Sequence, residues 1–435
     1  MDVEPGSTAT AKVMRRLVPF CMLLFFVQVM DKTNVGFAAL QMNRDLGFTP
    51  EVYGFGAGVF FLGAFLFEIP SNLILVRVGA RRWLARIMIT WGLIVIALAA
   101  TRAPTFFYVM RFLLGVAEAG LLPGVIYYLG LWIPKPARGT ALSALMSTSA
   151  IGAIAAGPIA TGLMQLQGTG GLEGWQWIFV VEGIATVGIG IITLSYLPDG
   201  IEQARWLSAG EQHWLMERQR QELQVKKTMG VTAFLAGFFD SRVLVALIVS
   251  LLLVLCNFGA VFWLPQVIKS FGALSNLEVG WLSAVPYAFG GIGMVLWGRH
   301  SDRTGERRWH LFIGTAAAAV GYAWSATAPN GAMSFIGICL GTAGIMSTFG
   351  IFWAYAGDLL GGAAAAGGIA FLNTAGQLGG FGGPFIIGFI RQRTHGFNGA
   401  LLFLAACALL TALVALNLKS RVPSKTSLVA DTPGA

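Results

Sequence analysis

Four ionisable residues lie inside apolar stretches of the chain, where charge is costly. Asp31 and Lys32 are adjacent in the first stretch, and Arg111 and Glu118 are seven residues apart in the fourth. Seven residues make about two helical turns, which places Arg111 and Glu118 on one helix face. Because an ionisable side chain at the centre of a bilayer costs at least about 2.5 kcal/mol, each of the four is a candidate functional residue.

Two cations and two carboxylates in the core of a helical bundle have two interpretations. They can neutralise one another, since paired buried charges are tolerated where single ones are not. Alternatively, Lys32 and Arg111 bind a carboxylate substrate, while Asp31 and Glu118 take up protons that are released on the other side. Proton and anion binding would then favour each other, which is the thermodynamic basis of symport.

The composition excludes a soluble enzyme. Of the 435 residues, 56% are hydrophobic and 11% are charged, and the mean hydropathy is +0.72; a soluble domain carries about 25% charged residues. The sequence has no nucleotide-binding loop and no metal-ligand spacing, and its four cysteines are scattered through apolar stretches. We therefore expect no enzymatic activity, no cofactor and no metal.

Apolar stretches long enough to cross a bilayer recur along the chain as two sets of six. The predicted spans are 17–40, 53–76, 83–101, 105–129, 140–166, 176–197, 241–267, 280–298, 309–328, 331–357, 364–390 and 397–418. The expected organisation is an N-terminal tail (1–16), a six-helix half (17–197), a polar linker (198–240), a second six-helix half (241–418) and a C-terminal tail (419–435).

The basic residues sort by side of the membrane. With a cytoplasmic N-terminus, 22 of the 29 Lys and Arg lie on the cytoplasmic side and five lie in the opposite loops. This asymmetry follows the positive-inside rule and explains the net charge of +9 without a nucleic-acid partner. The chain also has no Asn-x-Ser/Thr sequon. We expect a bacterial inner-membrane protein with both termini in the cytoplasm.

An internal repeat relates the two halves. The segment Arg77-Val-Gly-Ala-Arg-Arg82 recurs as Arg303-Thr-Gly-Glu-Arg-Arg308, at an offset of 226 residues. The same offset relates Gly157-Pro158 to Gly383-Pro384. Two independent features thus indicate a duplication of six helices, an arrangement in which transporters bind substrate between the halves near the midplane.

The loop 298–308, which reads GRHSDRTGERR, resembles the loop signature of the major facilitator superfamily, and 77–82 is its degenerate partner. The simpler interpretation is that these charges only orient the chain in the membrane. The functional interpretation is a gate that holds one face shut and opens in each cycle. Its candidate residues are Arg77, Arg81, Asp302 and Arg303, with Glu68 as a further gate or packing group.

Further stretches resemble the anion:cation symporter branch of that superfamily, which carries sugar acids, tartrate, phthalate and other aromatic acids. The matching segments are 31–40, 67–73, 111–120, 351–354 and 367–380. The resemblance implies that Asp31 and Glu118 are the proton-coupling pair and that Arg111 belongs to the charge relay. It also implies that Trp353 and Asn373 contact the substrate from the second half.

Two positions depart from that branch. Lys32 stands where Arg is usual. A substrate carboxylate would therefore pair with a single ammonium group and would not form two parallel hydrogen bonds to a guanidinium. Ala64 stands where Tyr is common, which removes a hydroxyl donor and opens space. The change at position 64 suggests a bulkier or less hydroxylated acid than a hexonate, such as an aromatic carboxylate. Gln28, about one turn before Asp31, faces either the cavity or a neighbouring helix.

The predicted fold class is an all-α membrane protein of twelve transmembrane helices in two pseudo-symmetric halves. The predicted function is proton-coupled uptake of a small organic anion by alternating access, with the anion, the proton and the lipid bilayer as partners and a monomer as the working form. The alternatives are a proton-driven exporter of a drug or metabolite on the same fold, a passive uniporter, and a sensor on a transporter scaffold.

Overall fold

The computed structural model describes residues 5–226, 241–360 and 364–418, and the regular structure within these ranges is helical. The first helices are α1 (Pro5–Asp45), α2 (Pro50–Val78), α3 (Ala80–Leu98), α4 (Pro104–Glu118), α5 (Leu121–Trp132), α6 (Lys135–Leu163), α7 (Gly174–Tyr196) and α8 (Ala209–Lys226). The others are α9 (Ser241–Lys269), α10 (Asn276–Thr304), α11 (Arg308–Thr327), α12 (Gly331–Leu360), α13 (Ala364–Thr394) and α14 (Asn398–Ala415).

Each of the twelve predicted spans coincides with one helix or, for the fourth span, with the pair α4 and α5. Within the described ranges, nine segments are long and apolar enough by themselves to cross a membrane. The other three spans are α3, which has three arginines near its start, and α11 and α13, which are rich in alanine and glycine. The predicted all-α fold class is confirmed.

The fourth span is broken between α4 and α5. Gly120 adopts a left-handed conformation with φ of 87°, and a Cβ atom there would lie 2.6 Å from the hydroxyl of Ser71. That hydroxyl donates a hydrogen bond of 2.6 Å to the carbonyl of Ala119. Glycine therefore allows the close approach of α2. The break makes Glu118 the last residue of α4.

Two helix ends differ from the predicted spans. The first helix begins at Pro5, well before residue 17, so that the predicted tail continues into the span. The helix α10 continues to Thr304 and ends where Gly305 adopts φ of 66°. The residues 298–304, which were predicted as loop, are therefore the last turns of a helix, because polar residues continue the helix beyond its apolar part.

The two halves pack tightly at one end of the bundle. We call the end with the arginine clusters 77–86 and 299–308 the basic end, and the opposite end the far end. At the far end a Cβ atom on Gly54 of α2 would lie 2.6 Å from the carbonyl oxygen of Pro384 in α13. The Tyr53 hydroxyl donates to the carbonyl of Phe262 at 2.8 Å. The bundle is therefore closed at the far end.

The surface of the bundle carries large apolar side chains, including Leu73, Ile184 and Leu296, which are exposed. Such a surface is suited to contact with lipid. The predicted linker 198–240 begins with an irregular segment and α8, but its part 227–240 lies outside the described residues. The predicted C-terminal tail 419–435 and residues 1–4 also lie outside them.

Candidate functional site

The carboxylate of Glu118 is the centre of a buried polar cluster between α1 and α4. Its Oε1 atom accepts a hydrogen bond of 2.6 Å from the Gln28 amide and pairs with the Lys32 ammonium at 2.9 Å. The Glu118 side chain is 2% exposed. Gln28 and Lys32 lie one turn apart on α1, so one helix face presents both groups to the end of α4. Gln28 is therefore a partner of Glu118.

Asp31 belongs to the same cluster. Its side chain is buried, and Glu118, Arg111 and Lys32 are the charged groups that act on it electrostatically. One of its carboxylate oxygens has no hydrogen-bond partner among the described residues. The fold thus brings together the four ionisable residues that the sequence singles out, and it balances two carboxylates with two cations.

The two cations have different surroundings. Arg111 is 1% exposed, and its guanidinium donates to the carbonyls of Gly56 and Ala57 at 3.3 Å each. It also lies 5.0 Å from the centre of the Phe60 ring. The sequence predicts Arg111 as a substrate-binding residue, but the structure turns its guanidinium toward α2, where neighbouring groups enclose it. Its charge can still act on Asp31 from there.

Lys32 is the more accessible cation. Its side chain is 26% exposed, while that of its partner Glu118 is 2% exposed. The ammonium also lies 5.6 Å from the centre of the Phe60 ring. An anion that enters the bundle can therefore reach Lys32 with much less rearrangement than Arg111 requires. Because Lys32 already pairs with Glu118, such an anion would compete with that carboxylate.

A second polar contact joins the halves. The Asn373 amide of α13 donates to the carboxylate of Glu68 in α2 at 2.8 Å, and Thr374 and Gln377 lie near the same carboxylate. Glu68 is buried and its other oxygen has no hydrogen-bond partner within the described part of the chain. The predicted gate residue and the predicted substrate contact are therefore bonded to each other in this conformation.

Two further predicted substrate contacts lie on α2 and α12. Ala64 is buried on α2, one turn before Glu68, where α2 crosses α4 at Gly115. Trp353 of α12 is half-buried, and its ring packs against Phe352 with ring centres 5.1 Å apart. Neither residue has a polar contact to the Glu118 cluster among those the structure gives. Their roles in substrate binding stay predictions.

Two of the four predicted gate residues at the basic end form ion pairs, and neither pair connects the two halves. Arg81 binds Asp199 at 2.7 Å, and Asp302 binds Arg307 at 2.6 Å. Arg77 and Arg303 are exposed. No ion pair joins the halves at this end among the described residues. The far end is closed, and the ion pairs that these gate residues form at the basic end do not connect the two halves within the described ranges.

Sequence reasoning missed three charged residues. Asp199 and Arg307 form the ion pairs just described. Arg307 lies within the repeated segment 303–308, which was a signal in the sequence, whereas Asp199 follows the sixth predicted span without such a signal. Glu182 lies near the start of the predicted span 176–197, a position from which a charged side chain would be expected to reach the interface. The structure instead buries it in α7, 8% exposed, with both carboxylate oxygens unpartnered by any described residue. Within the described ranges, no three His, Cys, Asp or Glu residues are arranged to hold a metal ion.

The fold and this cluster define a membrane transporter, and comparison with known proteins specifies the family. The model of the Major Facilitator Superfamily matches residues 21–384, so the chain belongs to that superfamily. It is a transporter, and its relatives are not enzymes.

Two curated relatives cover nearly the whole chain. A putative tartrate transporter of Agrobacterium vitis is 44% identical over 430 residues, which are 99% of each chain. A quinolone resistance transporter of Acinetobacter baumannii is 39% identical over 411 residues, 93% of each chain. The first relative is consistent with the anion:cation symporter branch that the sequence resembles.

Solved structures support the fold. A bacterial homologue of the human lysosomal transporter Spinster, solved in an inward-facing and unoccupied conformation, superposes with a TM-score of 0.75. The two chains are 15% identical, and the match covers 93% of this chain and 94% of the other. At this identity the likeness is one of fold.

Proposed function

We propose that this transporter carries a small organic anion into the cytoplasm together with one or more protons, by alternating access. The observation that carries the proposal is the ion pair between Lys32, whose side chain is 26% exposed, and the buried Glu118. A relative described as a putative tartrate transporter, 44% identical, supports an anionic substrate.

The coupling follows from competition for Lys32. The ammonium can pair either with the Glu118 carboxylate or with the carboxylate of a substrate. When the substrate takes Lys32, Glu118 is left as a buried charge that has lost its cation, which is strongly unfavourable. A proton on Glu118 removes that penalty, and a protonated Glu118 in turn leaves Lys32 available to the anion. Each ligand therefore strengthens binding of the other.

Asp31 extends this relay. It is buried within reach of both cations, and Arg111 supplies a fixed positive charge that is held by the carbonyls of α2. We assign Asp31 and Glu118 to proton coupling, Lys32 to anion binding, and Arg111 to electrostatic support of the pair. Gln28 holds the Glu118 carboxylate in place by donating to the oxygen that also faces Lys32.

The transport cycle requires the basic end to close and the far end to open. In this proposal Arg77, Arg81, Asp302 and Arg303 form bridges across the basic end in the alternate state. The hydrogen bond from Asn373 to Glu68 already joins α13 to α2 in this structure. In this proposal it is one of the contacts that close the basic end. A substrate bound beside Lys32 would meet Ala64, Trp353 and Asn373 from neighbouring helices.

The orientation rests on the charge distribution. The side with most of the lysines and arginines is the cytoplasm by the positive-inside rule, which gives cytoplasmic termini in a bacterial inner membrane. The basic end then faces the cytoplasm, and the far end, which is closed in this structure, faces the outside. A monomer suffices for the mechanism, because the cluster is built from one chain.

For the substrate we propose a small carboxylate, with a dicarboxylate, a sugar acid or an aromatic acid as candidates. The tartrate name of the relative favours a hydroxylated dicarboxylate. Ala64, by removing a hydroxyl donor and adding space, favours an aromatic acid. The two lines of reasoning agree on a carboxylate that a lysine can hold.

A proton-driven exporter is the second candidate function. The quinolone resistance transporter, 39% identical over 93% of the chain, favours it, because resistance transporters remove drugs from the cell. Quinolones also carry a carboxylate, so Lys32 does not discriminate between the two functions. Direction and the response to the proton gradient do discriminate between them.

The test is uptake into proteoliposomes with an imposed inward proton gradient, with labelled tartrate, an aldonic acid and benzoate as probes. The parent protein is compared with Glu118→Gln and with Glu51→Gln, an exposed carboxylate at the far end, as control. We expect gradient-driven accumulation of an acid in the parent and in the control, and its loss in Glu118→Gln. If no acid accumulates and Glu118→Gln behaves like the parent, the symport proposal fails and the exporter takes its place.

A further inference from the structure

The N-terminal half contains a row of buried polar atoms that leads from the far end to the coupling cluster. Glu182 of α7 is 8% exposed, and both of its oxygens lack a hydrogen-bond partner among the described residues. The neighbouring groups are the Asn34 amide and the Asp31 carboxylate on α1, with the amide adjacent to Glu182 but outside hydrogen-bonding geometry. Asn34 is 1% exposed, and its amide nitrogen and oxygen are also unpartnered within the described ranges.

The row continues in both directions along the interface of α1, α3 and α7. Toward the basic end, the Trp91 indole of α3 lies beside Asp31, again without a hydrogen bond of normal geometry. Toward the far end, a Cβ atom on Gly174 would lie 2.6 Å from the amide oxygen of Gln41. The unpartnered buried atoms, taken in order from the far end, belong to Gln41, Trp175, Glu182, Asn34, Trp91 and Asp31.

Helix geometry explains why these groups form a row. Asp31, Asn34 and Gln41 are spaced by three and seven residues, which puts them on one face of α1. Trp175 and Glu182 are seven residues apart, and this spacing puts them on one face of α7. Glycine brings α7 close to α3 at this depth, since a Cβ atom on Gly92 would lie 2.7 Å from the carbonyl oxygen of Gly183.

The depth of Glu182 places it between the far end and the cluster. At 1.5 Å per residue it lies about 12 Å along α7 from the helix start at Gly174. The far end is the closed side of the bundle in this structure, so the substrate path does not reach Glu182 from there. Buried polar atoms without protein partners are rare, and ordered water is their usual partner.

We propose that Glu182 is a proton-carrying residue on this polar row, and that water and the row conduct protons between the far end and Asp31. The inference rests on the proposed function, because it supplies the route by which the coupling carboxylates exchange protons with the outside. The step is a proton transfer alone: the Glu182 carboxylate accepts a proton and gives it to the Asp31 carboxylate. Asn34 lies between the two carboxylates and orients water for the transfer.

The charged groups around Glu182 are few. Among the described residues, Asp31 on α1 is the charged group that acts on Glu182 directly. Asp31 is in turn influenced by Lys32 on α1 and by Arg111 and Glu118 on α4. At the depth of Glu182, α3 presents the neutral side chain of Trp91, and the arginines of α3 lie nearer the basic end. The segment of α6 and the short turn 164–166 that contact α7 contribute no titratable side chain. Protonation of Glu182 is therefore governed by Asp31 and its partners.

The first measurement needs no substrate. Infrared difference spectra of the reconstituted parent and of Glu182→Gln are recorded as the pH is changed from acid to alkaline. We expect a protonated-carboxyl band in the parent that changes with pH and is lost in Glu182→Gln. If the two proteins give the same spectra over the whole range, Glu182 does not exchange protons and the inference is overturned.

The second measurement separates proton delivery from substrate handling. Proteoliposomes are assayed with labelled tartrate for gradient-driven accumulation and for counterflow between equal concentrations. We expect Glu182→Gln to lose most of its accumulation and much less of its counterflow, Glu182→Asp to recover accumulation, and Glu51→Gln to match the parent. A purely structural role would lower both activities together, and that result contradicts the inference.

The two proposals fail in different ways. If the parent shows no response to the gradient, the symport proposal fails, and the infrared spectra alone decide whether Glu182 exchanges protons. If the parent responds and Glu182→Gln responds equally, symport stands and the proton role of Glu182 is overturned. Misfolding of Glu182→Gln is recognised before reconstitution by size-exclusion chromatography in detergent, and the Glu182→Asp variant then provides the comparison.

Discussion

The two halves of the molecule share a fold but divide the chemistry unequally. At the repeat offset of 226 residues, Asp31 corresponds to Asn257, Lys32 to Phe258, Arg111 to Gly337, Glu118 to Gly344 and Glu182 to Ala408. The corresponding helices also begin in register, since α2 starts at Pro50 and α10 at Asn276. Each buried charge of the first half thus has a neutral counterpart in the second.

This difference indicates a division of labour. Charges within a bilayer are expensive, and concentrating them in one half allows each to neutralise the others at close range. The second half can then move past the charged half without breaking ion pairs of its own. Its proposed contributions to substrate binding are neutral groups, Asn373 and Trp353.

The largest effect is expected at the accessible cation of the charged half. Lys32→Gln removes both the partner of Glu118 and the proposed anion site. Loss of a buried charge partner costs about 3 kcal/mol, and a loss of that size in the binding free energy of the anion weakens its affinity by more than about 100-fold. Tartrate binding measured by calorimetry should therefore be lost, whereas Lys32→Arg should stay within about tenfold of the parent. Tartrate affinity in Lys32→Gln equal to that of the parent would exclude Lys32 from the anion site.

A carboxylate introduced into the second half tests whether that half tolerates a buried charge. Asn257→Asp introduces a carboxylate at the counterpart of Asp31, where Phe258 and Gly344 stand in place of Lys32 and Glu118. We expect a loss of stability of about 2.5 kcal/mol, seen as a lower midpoint of thermal unfolding in detergent. Asn257→Ser is the neutral control. An unchanged midpoint for Asn257→Asp would mean that the second half tolerates charge as well as the first.

A smaller effect is expected where the charged half depends on close helix contact. A Cβ atom on Gly115 would overlap the carbonyl of Phe60, so Gly115→Ala must push α4 away from α2. The expected loss is about 1–3 kcal/mol in the same unfolding assay. Gly130→Ala, where a Cβ atom meets nothing within 4 Å, is the matched control. Equal midpoints for the two variants would refute the close contact.

The smallest effect is expected at the connection between the halves. Lys12 pairs with Glu211 of α8 at 2.9 Å, and the backbone N–H of Ser208 donates a hydrogen bond to the same carboxylate. Together these two contacts lower the pKa of Glu211 to about 2. Because the Lys12 side chain is 49% exposed, the pair contributes less than about 1 kcal/mol. It holds α8 to the charged half.

The pH dependence of this pair has a definite sign. Its contribution is fully present above the ordinary carboxylate pKa of 4.5 and is lost as the pH falls from there toward 2. Glu211→Gln should therefore lower the unfolding midpoint slightly at neutral pH and not at pH 2. A difference that is as large in acid as at neutral pH would contradict the assignment.

Much of this architecture could be predicted from the sequence, because apolar length and charge asymmetry act locally. All twelve spans coincide with helices, and the structure brings Arg111 and Glu118, which their spacing places on one helix face, together with Asp31 and Lys32. The prediction for residues 298–304 was wrong in detail, since a polar stretch can extend a helix beyond the membrane.

Other features depend on packing and were out of reach. The carbonyls of Gly56 and Ala57 that hold Arg111 are backbone groups on another helix, and no side-chain pattern identifies them. The burial of Glu182 also does not follow from its position near the start of a predicted span. Its burial comes from the glycine contact between α3 and α7, which only the tertiary structure shows.

The central claim is that an anion and Glu118 compete for Lys32, so that a proton is taken up when the anion binds. The most direct measurement is calorimetry of tartrate binding in two buffers with different ionisation enthalpies, which yields the number of protons taken up per anion. We predict net proton uptake by the parent protein and its loss in Glu118→Gln. Binding without proton uptake in the parent, or the same uptake in Glu118→Gln, would contradict the claim.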